Sequence, residues 1–201
     1  MWFAVCWLLV VAMASAQDAR SLLEQAERTL SGADGIQAYF TVRAVDESAE
    51  GTICLRGEKF VLQAEGVKTW FDGKTQWSYL TSSDEVNISE PTAEELQAIQ
   101  PYAWLSFYKQ GYQLKMGQAT HFQGTPIQEV VMTGTQRQDL LCMVLYLDKQ
   151  SHLPLRISMA QRGGAVTVVT IRSYHVGQQW PDSFFTFDSS QYPDAELIDL
   201  R

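Results

Sequence analysis

The sequence predicts a mainly β protein with one N-terminal helix and a short helical insert near its middle. After the first 30 residues, most apolar segments alternate with polar residues at a period of two, which is typical of strands. Turn residues such as Asp72-Gly73 separate these segments at hairpin distance. With 201 residues, of which 46% are hydrophobic, the chain is long enough for one domain with a real core.

The N-terminus reads as a secretory signal. Residues 2–13 are almost wholly apolar, and Ala14-Ser15-Ala16 follows the small-x-small pattern of a cleavage site. We therefore expect residues 1–16 to be a signal peptide that is removed after Ala16, and residues 17–201 to form a single domain. Export would place the mature protein in an oxidising compartment, the periplasm in a bacterium with two membranes.

A single helix is predicted to open the mature chain. Ser21 and Glu24 have the spacing of a capping box, and Leu22, Ala26 and Leu30 recur at four-residue intervals on one face. The pattern indicates an amphipathic helix that begins at Ser21.

Strands are predicted from residue 36 to residue 88, with the strongest hairpin signal at Asp72-Gly73. A two-residue turn there would set Trp70 opposite Thr75. It would also place Trp70, Trp77 and Tyr79 on one face of the hairpin.

The strand pattern breaks at a helical insert. Thr92 and Glu95 form a second capping-box pattern, which also explains the adjacent carboxylates Glu94 and Glu95 without catalysis. After Pro101, the residues Trp104, Leu105 and Tyr108 recur at helical spacing. Helices this short are barely stable alone, so we expect the insert to lie on an apolar surface as a lid.

Strands resume after residue 111 and bring the expected total to about eleven. The segment from Leu140 to Leu147 is apolar at almost every position, so both of its faces should be covered, one of them by the N-terminal helix. An antiparallel sheet of this size must close, curl or double over to manage its edges. It is long enough to curl around an interior.

Several classes of function fit the sequence poorly. A net charge of −8 without a basic stripe argues against binding of nucleic acid. No metal-ligand pair, Gly-rich phosphate loop or cofactor motif is present, so neither a metal nor a cofactor is expected. Cys54 and Cys142 would remain after cleavage, and we favour two separate thiols, with a disulfide as the alternative.

Three segments resemble the periplasmic outer-membrane lipoprotein carriers, the LolA-like family. They are Arg56-Gly57-Glu58-Lys59-Phe60, residues 72–79 (Asp-Gly-Lys-Thr-Gln-Trp-Ser-Tyr) and residues 184–188 (Phe-Phe-Thr-Phe-Asp). The stretch from Glu85 to Tyr102 is similar to the Bacteroidetes branch of that family. The resemblance covers the whole mature chain.

The resemblance implies an unclosed antiparallel β-barrel with a helical lid over a hydrophobic cavity. It implies a monomeric, non-catalytic carrier whose cargo is acylated lipoproteins. An inner-membrane ABC-type lipoprotein-releasing complex would supply the cargo, and an outer-membrane acceptor would receive it. Arg56 matches an arginine that holds the lid in the family's R-P-x-x-F pattern, although Gly57 here replaces the usual proline.

A carrier of this kind needs apolar area equivalent to what the acyl chains leave behind in the membrane, about 0.8 kcal/mol for each buried CH₂ group. Two alternatives stay open at this point. One is a lipid-directed hydrolase that pairs His121, His152 or His175 with a serine, and the other is a β module with a solid core. The residues expected to line the cavity are Phe40, Val42, Phe60, Leu62, Trp70, Trp77, Tyr79, Ile99, Trp104, Leu105 and Tyr108.

Overall fold

The computed structural model describes residues 2–45, 47–92, 95, 102–135 and 139–201, with the backbone alone for 2–14, 103, 104 and 106. These residues form one α-helix, thirteen strands and three short 3₁₀ helices. The helices are α1 (Trp2–Ser31) and the 3₁₀ helices Ala103–Gln110, Asp182–Phe185 and Ser189–Gln191. The strands are β1 (Ile36–Arg43), β2 (Ser48–Arg56), β3 (Lys59–Ala64), β4 (Val67–Phe71), β5 (Gln76–Leu80), β6 (Glu85–Ser89), β7 (Gln113–Met116), β8 (Thr120–Phe122), β9 (Thr125–Thr133), β10 (Leu140–Asp148), β11 (Pro154–Gln161), β12 (Val166–Val176) and β13 (Glu196–Asp199).

Helix α1 is longer than the sequence pattern predicts. It begins at Trp2, so the expected helix start at Ser21 is wrong for the full chain. Ser21 lies inside the helix, where its hydroxyl accepts a hydrogen bond from the amide of Gln25 at 3.5 Å. In the described part of the chain, no helix has both the length and the apolar character needed to cross a bilayer. Cleavage after Ala16 stays a prediction.

The chain divides into two compact units. The first contains Met1–Thr29, Arg43–Glu47 and Trp104–Thr170, and the second contains Leu30–Val42, Ser48–Ala103 and Ile171–Arg201. In the first unit the strand order is β7-β9-β10-β11 followed by the start of β12, and β8 also pairs with β9. The buried side chains of β9 and β10 form its core, among them Val130, Met132 and Leu145.

The second unit is built on a run of sequential hairpins. Its strand order is β13-β6-β5-β4-β3-β2-β1 followed by the end of β12. Strand β13 pairs with β6 in parallel, because the chain returns from β12 to the far edge of this run. That parallel pair departs from the expected wholly antiparallel order. The runs in both units end at strands paired on one side, so the prediction of a mainly β fold with an N-terminal helix and an unclosed sheet is confirmed.

The Asp72-Gly73 hairpin has a four-residue loop, Asp72 to Thr75, in place of the expected two-residue turn. The Asp72 carboxylate accepts hydrogen bonds from the backbone N–H groups of Lys74 and Thr75, both at 2.8 Å. Trp70 therefore pairs with Trp77 and not with Thr75. The expected sharing of one face by Trp70, Trp77 and Tyr79 holds, since the register shift leaves the alternation unchanged.

Strand β10 is covered unequally on its two faces. Met143, Leu145 and Leu147 are fully buried, whereas Cys142 and Val144 on the opposite face are half-buried. Of the helix residues expected to cover this strand, Leu22, Ala26 and Leu30 are all buried.

Candidate functional site

The sheet of the second unit presents two faces that differ in their side chains. Cross-strand register places Leu55, Phe60 and Phe71 on one face, which we call the Phe60 face. The same register places Cys54, Val61 and Trp70 on the other, which we call the Trp70 face. Since side chains alternate along each strand, the two sets are separated by the thickness of the sheet.

The Phe60 face is apolar and well buried. Phe60 and Phe71 are 2% and 1% exposed, and their rings lie 5.4 Å apart. The ring of Phe40 lies over Gly51, where an added Cβ would come within 2.4 Å of it. Four of the predicted cavity residues lie on this face: Phe40, Val42, Phe60 and Leu62.

Three other predicted cavity residues lie on the Trp70 face. Trp70 pairs with Trp77, and Tyr79 follows on the same side. The predicted set therefore does not line a single cavity, because its β-strand members are divided between opposite faces of one sheet. Sequence alternation separated the two groups, but an aromatic residue fits either face equally well.

The C-terminal segment, residues 180–192, packs on the Trp70 face. Phe185 is fully buried in a cluster with Cys54, Val61 and Trp70. Trp70 meets the rings of Phe187 and Tyr192 edge to face, at 5.5 and 5.7 Å between centroids. Sequence reasoning treated residues 184–187 only as a last apolar piece and missed this role. The signal that could have revealed it is the concentration of five aromatic residues in the segment: Trp180, Phe184, Phe185, Phe187 and Tyr192.

A cavity of about 820 Å³ lies between the Trp70 face and the C-terminal segment. The strands contribute mostly polar and aromatic groups, and the segment contributes aromatic rings and short polar side chains. Its lining comprises Gln37, Thr52, Cys54, Val61, Gln63, Lys68, Trp70, Pro181, Ser183, Phe184, Thr186, Phe187, Asp188, Gln191 and Tyr192.

Arg56 fastens the C-terminal segment to the end of β2. Its guanidinium donates hydrogen bonds to the carbonyl oxygen of Trp180 and to the carboxylate of Asp182. It also lies 4.9 Å from the ring centroid of Phe185. The Lys59 ammonium meets the same Asp182 carboxylate at 2.9 Å. Lys59 and then Arg56 hold the pKa of the Asp182 carboxyl below its ordinary value. In the described residues, the contacts of Arg56 are thus with the C-terminal segment, and its expected control of the lid stays a prediction.

The turn after Arg56 explains part of this arrangement. Gly57 has a φ of +59°, a conformation that proline cannot adopt because its ring holds φ near −65°. The glycine that replaces the family's usual proline therefore makes a different turn. The Tyr102 hydroxyl donates a hydrogen bond to the Gly57 carbonyl oxygen at 3.1 Å, which joins the end of the insert to this turn.

The insert itself is described only in part. Thr92 and Glu95 form the expected reciprocal capping bonds, with the Thr92 N–H donating to Glu95 at 2.8 Å and the Glu95 N–H donating back at 3.3 Å. Ile99 and the side chain of Trp104 lie outside the described residues.

Leu105 and Tyr108 are buried, and within the first unit Tyr108 contacts helix α1. Its hydroxyl donates to the Glu24 carboxylate at 3.4 Å, and the Arg20 guanidinium lies 5.3 Å from its ring centroid. Burial raises the pKa of the Tyr108 hydroxyl. The 3₁₀ helix that carries both residues is thus held against α1 by a specific polar contact.

The thiols and imidazoles show no catalytic arrangement in the described part of the chain. Cys54 and Cys142 are both free thiols, as favoured from the sequence. Burial, opposed by the nearby Lys68 charge, raises the pKa of Cys54 to about 11, so this thiol is protonated at neutral pH. Within the described residues, no histidine side chain is hydrogen-bonded to a serine hydroxyl, and no cluster of three metal-ligating side chains occurs.

Known structures share this fold. An uncharacterized conserved protein from Thermus thermophilus matches with a TM-score of 0.67 and 17% sequence identity, over 90% of this chain and 99% of that one. The Pseudomonas aeruginosa MucA/MucB complex matches with a TM-score of 0.53 and 14% identity, over 86% of this chain and 62% of that one. At these identities the similarity establishes the fold alone. No curated protein matches the chain.

A family model supplies the more specific assignment. The model described as outer membrane lipoprotein carrier protein LolA matches residues 9–165. This match includes the Phe60 face and the insert, and it stops before the C-terminal segment. The chain therefore belongs to the LolA family of outer membrane lipoprotein carrier proteins.

Proposed function

We propose that this protein is a periplasmic carrier that binds the acyl chains of lipoproteins and ferries them from the inner to the outer membrane. The family match over residues 9–165 is the observation that carries the proposal. A carrier needs no catalytic group, which agrees with a sequence in which no catalytic motif stands out.

The acyl chains are proposed to bind on the Phe60 face. Strands β1 to β4 contribute a continuous apolar surface there, with Phe40, Leu55, Phe60 and Phe71 each less than 10% exposed. Hydrocarbon released from a membrane loses about 0.8 kcal/mol per CH₂ group unless it finds another apolar surface. Burial of this face in the empty protein supports the proposal, because an exposed surface of this kind would aggregate.

The insert is proposed to act as the lid. Leu105 and Tyr108 are buried, and the hydrogen bond from Tyr102 to Gly57 holds the end of the insert at the turn between β2 and β3. Short 3₁₀ segments have little stability of their own. They can therefore exchange their protein contacts for contacts with acyl chains at low cost.

The cellular route is part of the proposal. Residues 1–16 would direct export and be cleaved after Ala16, leaving residues 17–201 as the mature carrier domain. An inner-membrane ABC-type lipoprotein-releasing complex would load this monomer, and an outer-membrane acceptor would unload it.

Binding of a fluorescent fatty acid to the mature chain tests the proposal. We expect saturable binding that acylated lipoprotein displaces, and about tenfold weaker binding in Leu62→Asn, since the change places a polar amide on the Phe60 face. Leu141→Asn makes the same replacement at a partly exposed position of β10 and should bind as the wild type does. Absence of binding, or equal binding by both variants, would contradict the proposal. Hydrolysis of acyl esters that is lost in a His→Ala variant would support the enzyme alternative instead.

A further inference from the structure

We propose that the cavity between the Trp70 face and the C-terminal segment is a second binding site, and that its ligand is a saccharide. The site goes beyond the proposed carrier function. One of its walls, residues 181–192, lies outside the residues 9–165 that match the family model. The cavity is therefore built in part by a segment that this match does not include.

The size of the cavity suits a small ligand. Its volume of about 820 Å³ falls within the range of roughly 300–1,000 Å³ that is usual for small-molecule sites. A neighbouring cavity of about 650 Å³ shares the lining residues Thr52, Gln63, Lys68 and Tyr192. The two cavities are thus adjacent along the same face, and a ligand of more than one ring could extend from one into the other.

The polar lining offers neutral hydrogen-bonding groups. The side chains of Gln37, Thr52 and Gln63 point to the cavity, and within the described residues none of them is hydrogen-bonded to the protein. An amide and a hydroxyl each provide both a donor and an acceptor. Sugar hydroxyls also donate and accept, so these groups and a saccharide can satisfy one another.

The charges in the cavity do not favour a charged ligand. Lys68 and Asp188 are the ionisable side chains of opposite sign in its lining, and their formal charges cancel. The Asp188 carboxylate already accepts hydrogen bonds from the backbone and hydroxyl of Ser190 and from the amide of Gln191. The Lys68 ammonium lies 4.6 Å from the ring centroid of Trp70.

The aromatic lining supplies the apolar complement. Phe184, Phe187 and Tyr192 are half-buried at the cavity wall, and Phe187 and Tyr192 stack at 5.3 Å with 33° between their planes. The face of an aromatic ring carries partial negative charge, which attracts C–H groups with partial positive charge. A pyranose has such a C–H face and a rim of hydroxyls. A bare acyl chain would leave the amides of the opposite wall unpaired, at a cost.

Binding is tested by saturation-transfer NMR on the full mature chain. The probes are a panel of disaccharides of glucose, galactose, mannose and N-acetylglucosamine, the octyl glycosides of the same sugars, and octyl tetraethylene glycol as a tail without a sugar. Binding of a disaccharide indicates a free saccharide as the ligand. Binding of an octyl glycoside alone, without binding of the sugar-free tail, indicates the headgroup of a glycolipid.

Two variants locate the site. Gln63 is exposed on β3, so Gln63→Leu should fold normally and should bind the saccharide about 3- to 10-fold more weakly, the effect of losing one hydrogen bond. Gln113→Leu makes the same change on β7, outside the cavity lining, and should bind as the wild type does. The proposal is overturned if no sugar binds, if the sugar-free tail binds equally well, or if Gln63→Leu binds unchanged. Fatty-acid binding should persist in Gln63→Leu, so the two proposals can fail independently.

Discussion

Phe185 is expected to control whether the C-terminal segment stays on the Trp70 face. Its side chain is fully buried, with the rings of Trp180 and Phe184 at 6.1 and 5.2 Å and the Arg56 guanidinium over its face. Replacement of Phe185 by Ala removes these contacts and leaves a cavity. We therefore expect the segment, and with it the cover of the 820 Å³ cavity, to open far more often.

The expected size of this effect follows from the burial. Truncation of a fully buried Phe to Ala costs about 3–5 kcal/mol. If about 3 kcal/mol of this cost falls on the docked segment, the fraction of open molecules rises roughly 150-fold, because each 1.4 kcal/mol is a factor of ten. Phe185→Leu keeps most of the volume and loses mainly the aromatic pairing, which contributes about 0.5–1.5 kcal/mol, so its effect should be several-fold.

Alkylation of Cys54 measures this opening. The thiol lines the cavity, and its pKa, raised from 9.0 to about 11 by burial, keeps it unreactive while the segment is docked. Iodoacetamide followed by mass spectrometry should show much faster labelling of Cys54 in Phe185→Ala, with Cys142 in the first unit unchanged as the internal reference. Phe122→Ala, at a half-buried ring on β8, serves as the matched control. Unchanged labelling of Cys54, or an equal rise at Cys142, would refute the reasoning.

Two further predictions concern the fastening of the same segment. The pKa of Asp182 is depressed by Lys59 and then by Arg56, so its stabilising contribution is complete above the ordinary value of 3.8 and is lost as the pH falls through the lower folded value. Hydrogen exchange of residues 180–192 should therefore be faster in Asp182→Asn than in the wild type at neutral pH and equal in acid, while Asp194→Asn, at an exposed carboxylate, should match the wild type throughout. Gly57→Pro should lower the thermal midpoint by several degrees, since its φ of +59° is closed to proline, whereas Glu58→Pro keeps Gly57 and tests the turn itself; an unchanged midpoint in Gly57→Pro would contradict the turn assignment.

Much of the candidate site could be predicted from local pattern. The capping bonds of Thr92 and Glu95 form as the sequence indicates, because the two residues are only three positions apart and need no tertiary support. The face shared by Trp70, Trp77 and Tyr79 was also predictable, since alternation survives the change from a two-residue to a four-residue loop.

The direction of Arg56 could not be predicted in this way. Its partners Trp180 and Asp182 lie more than 120 positions further along the chain, and no local periodicity connects them. The resemblance to the carrier family pointed instead to the insert. The one local departure from the family pattern, Gly57 in place of proline, was visible in the sequence, but its φ value was not.

By itself, the sequence determined the class of the fold, the alternation of each strand and the two groups of side chains that the sheet separates. These features depend on the period of two along a strand, which is a local property of the backbone. The tertiary structure alone decided that the C-terminal segment covers the Trp70 face, that β13 adds to β6 in parallel and that a cavity remains between the segment and the strands. These features arise where distant parts of the chain return to the sheet, and apolar side chains on either face favour burial without specifying which segment will bury them.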